Sequence, residues 1–294
     1  MDQAEQLRNI IKMNNQPQRP LARIITVTSG KGGVGKSNTA INLAVQLRKM
    51  GQRVIILDAD FGLANIEIMF GTVPKHNLCD LIYQGKNIKE IITWGPAEVG
   101  FISGGSGIAG LSNLNRDYLT YIIQNLAELD AIADVILIDT GAGISDSVLE
   151  FLVASGEILL VTTPEPTSIT DSYSLLKTLS RHPRFQEEAT QVKVLANRVE
   201  TEEEGKSLFH KLNVVVNRYL KLPIVYLGSI PQDSQLSRAV MQQMPVSVQS
   251  PGAKSTKAFE NIAATLCNKD LNQTLQKRGM AAFFSHIVAG KQRG

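Results

Sequence analysis

Eight consecutive residues carry the clearest chemistry in this chain. Gly30-Lys31-Gly32-Gly33-Val34-Gly35-Lys36-Ser37 follows the pattern GxxxxGK[ST]. Gly32, Gly33 and Gly35, with Val34 between them, let successive backbone N–H groups turn inward around a polyphosphate. A helix starting near Lys36, with Asn38 in its first turn, points its positive end at the same anion. Lys36 reaches the β- and γ-phosphates, and the Ser37 hydroxyl is a ligand for Mg²⁺. Phosphoryl transfer to water also needs a positioned water and a cation to spread developing charge. Asp139 and Asp58, each closing an apolar run, would hold Mg²⁺ with Ser37, acting through its waters. Asp60 is the candidate to orient the attacking water. An amide at Asn197 matches the donor and acceptor edge of adenine, and no NKxD guanine signature occurs. The sequence therefore predicts an ATPase using ATP and Mg²⁺. A second lysine, Lys31, stands where it cannot easily fold back onto phosphates held by its own loop.

These residues must be positioned by a sheet. Residues 23–28, 53–57, 135–138, 158–162, 192–196 and 224–227 are short, β-branched and nearly continuous in apolar residues. Strands buried on both faces of a parallel sheet look this way. Helical stretches at 36–50, 113–131, 168–179 and 202–220 alternate with them. The fold class is α/β, a doubly wound and mostly parallel sheet with helices on both faces. Further helices are expected near 234–243 and 253–267. Three parts follow: residues 1–20 as a helix and linker, 21–268 as the catalytic domain, and 269–294 as a C-terminal amphipathic helix and tail.

The chain has 294 residues, 43% hydrophobic and 19% charged, enough for a sizeable core and against wholesale disorder. Two distant cysteines and four scattered histidines support neither a disulfide framework nor zinc. No apolar run approaches a membrane span, and the polar N-terminus does not read as a signal peptide, so a cytoplasmic protein is expected. The net charge of +3 is unevenly spread: residues 269–294 carry +4 and 1–23 carry +2, which leaves a mildly acidic body. A DNA-coating surface is not favoured, and the basic ends suggest partner or membrane contacts.

The loop variant KGGxGK[ST] resembles the deviant Walker A loop of the MinD/ParA family. The likeness extends over roughly residues 23–267. Residues 57–65, LDADFGLAN, resemble the family's switch I, and 136–143, ILIDTGAG, its Walker B and switch II segment. Residues 163–167, TPEPT, resemble its TPEP-type loop, where Glu165 would face ribose or the partner subunit. Ala196-Asn197-Arg198 and Ile230-Pro231-Gln232-Asp233 resemble its adenine-side loops. The resemblance implies a P-loop fold and an ATP-dependent homodimer in which Lys31 reaches the partner's nucleotide. Dimerisation and hydrolysis then become one event, and the ATPase is slow and partner-dependent.

Both ends carry further expectations. Leu271, Leu275, Phe283, Phe284, Ile287 and Val288 fall largely on one helical face, with Lys277 and Arg278 on the polar side. The residues alone fit either an interfacial membrane helix or a last helix packed on the core. The MinD branch implies the former, with Lys277, Phe283, Phe284 and Ile287 meeting anionic lipids in the ATP-bound state. At the other end, Asp2, Gln3, Ala4, Leu7 and Arg8 form a DQAxxLR segment. It resembles the extension of the FlhG-like branch, MinD-like regulators of flagellar number and placement. That likeness implies an FlhF-type GTPase as the partner it contacts and stimulates, and flagellar basal-body (C-ring) components as further partners. The alternatives are a ParA-type DNA partition ATPase and a MinD-type division-site regulator. A cluster carrier would need paired cysteines at the dimer seam, and a related tyrosine kinase a terminal tyrosine cluster; the sequence has neither.

Overall fold

The computed structural model describes residues 21–60, 65–104, 123–268 and 279–291. In chain order the elements are β1 (Arg23–Thr28), α1 (Lys36–Lys49), β2 (Val54–Ala59), α2 (Asn65–Phe70), α3 (Leu78–Gln84), α4 (Ile88–Ile91), β3 (Thr93–Trp94) and β4 (Gly100–Ser103). Then come α5 (Leu129–Ile132), β5 (Val135–Thr140), α6 (Asp146–Ala154), β6 (Glu157–Thr162), α7 (Pro166–Ser180), β7 (Gln191–Val199), α8 (Glu202–Leu220) and β8 (Ile224–Pro231). The chain closes with α9 (Ser234–Met241), α10 (Val246–Gln249), α11 (Lys254–Asn268) and α12 (Met280–Lys291).

The strands form one eight-stranded sheet in the order β3-β4-β2-β5-β1-β6-β7-β8, all parallel except the short β3. Alternation of side chains along each strand sends neighbours to opposite layers. Ile25, Val27, Ile56 and Leu137 pack against α1, α2 and α11 on one face. Ile24, Ile55, Leu57 and Ile136 meet α3, α4, α6 and α12 on the other. From β6 outward that second face is covered by α7 and α8, through Leu175, Leu176, Leu212 and Val216. Both faces are thus covered, which is why these strands read as unbroken apolar runs.

The doubly wound sheet is as expected, and β1 spans the residues foreseen for it. The others run slightly beyond their apolar cores, as β2 does to include Asp58. The hairpin of β3 and β4 and the short helices α2 to α4 had no periodic signal. Where the sequence suggested an amphipathic tail, Phe283, Phe284 and Ile287 of α12 are interior residues, almost without exposure. They pack with Phe151 of α6 and with strands β1, β2, β4 and β5, as part of the same core layer as the body. No helix among the described residues is long and apolar enough to cross a membrane.

Candidate nucleotide site

The strand order reverses direction at β1, since the chain leaves it toward β2 and later crosses to β6 on its other side. A crevice outside the carboxyl ends of strands at such a switch point is where α/β sheets bind ligands. The glycine-rich loop lies there, between β1 and α1. Gly33 and Gly35 hold left-handed φ of 76° and 93°. A Cβ at Gly32 or Gly33 would meet nothing within 4 Å, so that side of the loop has room for an anion. Gly30 is under the opposite constraint: a Cβ there would lie 2.2 Å from the Asp171 carbonyl carbon, so only glycine lets the loop seat on α7.

Parallel register brings the acids together. Asp58 of β2 is paired in register with Asp139 of β5, and both are buried. Lys36 Nζ lies 3.2 Å from Asp139 Oδ1. Burial raises the proton affinity of Asp139, and the Lys36 charge only partly offsets it. Asp139 Oδ2 is buried with no hydrogen-bond partner among the described residues. Asp58 accepts the Asp60 and Ile66 amides at 3.1 and 3.4 Å. Burial first, and then the Asp139 carboxylate, push Asp58 up to about 7. Asp60 Oδ2 accepts from the Asn65 side chain at 3.2 Å. An orphaned carboxylate oxygen, a second strained carboxyl and the buried Ser37 hydroxyl form an oxygen donor set that fits Mg²⁺.

The residues expected on the base side line a cavity. A cavity of about 330 Å³ is lined by Asn38, Asn197, Arg198, Pro231, Gln232 and Asp233. All six were singled out from the sequence. Its apolar wall of Leu236, Val240 and Met241 on α9 was not, because nothing in an amphipathic helix says which cavity it borders. Asn197 Nδ2 donates to the Val34 carbonyl at 2.7 Å, and Arg198, at a left-handed φ of 58°, donates to the Gly33 carbonyl at 2.8 Å. Both brace the phosphate loop from outside, a role the adenine reading did not foresee. The Asp233 carboxylate is committed elsewhere. It accepts from the Gln235 amide at 2.9 Å and from the Ser255 amide and hydroxyl at 3.0 and 2.8 Å, and so caps α9. Burial opposes its ionisation, but these donors hold it below the usual carboxylate range.

Lys31 points away from its own cradle. Its Nζ contacts Glu165 Oε2 at 2.7 Å and Thr167 Oγ1 at 2.9 Å. Thr167 was quoted in the TPEP-type loop but not identified as a lysine partner. Asp2, Gln3, Ala4, Leu7, Arg8 and Lys277 lie outside the described residues.

Comparison with known proteins agrees with this geometry. Residues 25–246 match the CobQ/CobB/MinD/ParA nucleotide binding domain. The chain is 40% identical to the antiactivator FleN of Pseudomonas aeruginosa, over 82% of this chain and 85% of that protein. It is 32% identical to the flagellum site-determining protein YlxH of Helicobacter pylori, over 98% of each. Its fold is similar to that of the septum site-determining protein MinD complexed with Mg-ADP from Pyrococcus horikoshii. That match has a TM-score of 0.64 and 23% identity, covering 84% of this chain and 96% of that one. With the loop, the paired acids and the base cavity in place, the chain belongs to the MinD/ParA family of P-loop ATPases, in its FlhG-like branch.

Proposed function

We propose that this ATPase is a nucleotide-timed dimerising switch that controls flagellar number and placement. The observation that carries the switch is the position of Lys31. It sits beside the phosphate loop, yet is tethered to Glu165 and Thr167 rather than aimed into its own cradle. A cation so placed serves the site of a second subunit, where it would stabilise charge developing in the transition state. The flagellar assignment rests on the likeness to FleN and YlxH.

Within one subunit, Lys36 would exchange Asp139 for phosphate oxygens when ATP enters. The Gly32–Ser37 amides hold the anion in place, and Asp60, fixed by Asn65, orients water. Mg²⁺, held by Ser37 with Asp139 and Asp58, would neutralise charge on the phosphates. The N-terminal segment, through Gln3, Leu7 and Arg8, would stimulate an FlhF-type GTPase. C-ring components would be further partners, and the mildly acidic body does not favour DNA.

Membrane attachment through α12 needs a conformational change, because Phe283, Phe284 and Ile287 are inside. Helix α6, which carries Phe151 against Phe283, begins just after the loop that follows Asp139. Nucleotide-dependent movement of that loop could therefore loosen α12. Undocking exposes several large apolar side chains at about 1.5–3 kcal/mol each. Dimerisation and insertion of two helices into anionic lipid must offset that cost.

The test is light-scattering mass with ATP and Mg²⁺. Asp60→Ala should bind ATP and accumulate as a dimer, because the water-orienting group alone is lost. Lys31→Ala should bind ATP with hydrolysis reduced about 10³-fold. A monomeric Asp60→Ala protein would rule out the trans-lysine mechanism.

A further inference from the structure

A second cavity, of about 470 Å³, opens at the opposite edge of the sheet from the nucleotide site. Trp94, Val54, Ile55 and Ile132 form its apolar walls, and Arg48 and Arg53 stand at its rim. Trp94 is 57% exposed. Arg48 pairs with Glu98 through Nη2, but its buried Nε has no partner among the described residues. Arg53 is paired with Asp134, so the groove is an apolar slot rimmed by two ion pairs. It plays no part in the nucleotide chemistry.

The path of the chain indicates what fills it. Leu21, at the start of the described body, enters β1 at this same edge. The Asp134 carbonyl accepts from the Arg23 amide at 2.9 Å, and the Asp134 carboxylate accepts from the Arg53 amide at 2.8 Å. Strands β1 and β2 flank β5, so Leu21 begins about 10 Å, two strand spacings, from the wall of the groove. Residues 14–20 can span up to about 23 Å when extended. The segment before them places Leu7, Ile10 and Ile11 at i, i+3 and i+4, one face of a helix. Its charges, Asp2 and Glu5 against Arg8 and Lys12, cancel, so an apolar stripe is what it offers a groove.

We propose that residues 2–12 dock in the Trp94 groove of their own subunit, with Leu7, Ile10 and Ile11 in the slot. A tether this short gives an effective concentration in the millimolar range, so a weak contact suffices to hold the segment. Docked, it is withheld from any partner. That consequence rests on the partner reading above, whereas the docking itself does not.

Trp94 is the only tryptophan in the chain, so its fluorescence reports on the groove directly. The experiment compares the full-length protein with full-length Leu7→Asp/Ile10→Asp/Ile11→Asp, both at micromolar concentration and checked for folding by circular dichroism. The wild type should emit at shorter wavelength and be quenched by acrylamide at least about twofold less. Equal spectra and quenching in wild type and triple variant would overturn the proposal. Protection that grows with protein concentration would also overturn it, in favour of a second copy in the groove. No partner GTPase enters the assay, so failure here leaves the partner reading untouched.

Discussion

Two buried carboxylates at opposite edges of one sheet have opposite fates. Glu157 opens β6 at the amino edge, with Arg23 Nε and Nη2 at 2.6 and 2.7 Å and Lys193 Nζ at 2.8 Å. Burial alone would raise its proton affinity, but Arg23 and then Lys193 more than offset this and hold it below the usual range. Asp58, near the end of β2 at the carboxyl edge, is as deeply buried, yet it faces Asp139 and is pushed up to about 7. Burial therefore does not decide the charge; the local balance of partners does. The amino edge satisfies its charges internally and is closed to an incoming ion, although the apolar Trp94 groove opens on it. At the carboxyl edge Lys36 balances only part of the negative charge of Asp58, Asp60 and Asp139. That edge is left suited to an incoming cation with its phosphate ligand.

The largest effect is expected from breaking the closed edge. Glu157→Gln leaves Arg23 and Lys193 without their shared carboxylate. Breaking a buried pair in this way costs about 3–5 kcal/mol. Urea denaturation should show that loss as a lower midpoint, with ATP turnover per folded molecule nearly unchanged. A midpoint equal to that of the wild type would mean the two edges do not differ as argued.

A smaller effect sharpens the contrast through pH, in protein free of nucleotide and Mg²⁺. The folded-state value of Asp58 is raised, so its contribution to stability is full below about pH 4 and is lost as pH rises through about 7. Glu157 has the opposite sign: its contribution is present above its unfolded value and is lost as pH falls through its depressed one. Stability should therefore decline by about 1–3 kcal/mol between pH 5 and 7.5. Asp58→Asn should flatten that decline, while Glu157→Gln should not. The check is a series of urea titrations across that range. A slope preserved in Asp58→Asn would place the strain elsewhere.

The two edges were also unequally legible in the sequence. The carboxyl edge could be read because its chemistry is local: eight contiguous residues make the loop, and Asp58 and Asp139 each end an apolar run. Parallel pairing then brings those ends together. The Arg23–Glu157–Lys193 group joins residues 36 and 134 positions apart on three strands, and no spacing announces it. Asn197 and Arg198 were legible as site residues, but their bracing of Val34 and Gly33 depends on loop geometry that sequence does not carry. The C-terminal helix was ambiguous for a physical reason. One apolar stripe suits a bilayer and a protein core equally, and only the presence of Phe151 and β1 beneath it decides for the core.

That helix supplies the smallest and most selective effect. Its start is tied to the closed edge, where the Asp130 carboxylate accepts the Met280 amide at 3.0 and 3.1 Å. Asp130 therefore serves α12 as a cap supplied from a distant part of the chain. Burial raises its proton affinity, and the Met280 and Ala22 amides pull the other way. Near the far end, Arg184 donates to the His286 carbonyl at 2.7 Å and pairs with Glu150 of α6. Apolar packing between these two ties provides most of the docking energy, so removing one tie loosens the helix without unfolding the body. Losing a capping carboxylate costs about 1 kcal/mol. Asp130→Ala should therefore raise sedimentation with anionic liposomes about fivefold where binding is unsaturated, with little change in ATP affinity. The unaltered Glu157 network should keep the midpoint of global unfolding within about 1 kcal/mol of wild type. If Asp130→Ala sediments no more than wild type in either ATP or ADP, α12 is a permanent part of the core, and membrane attachment through it is wrong.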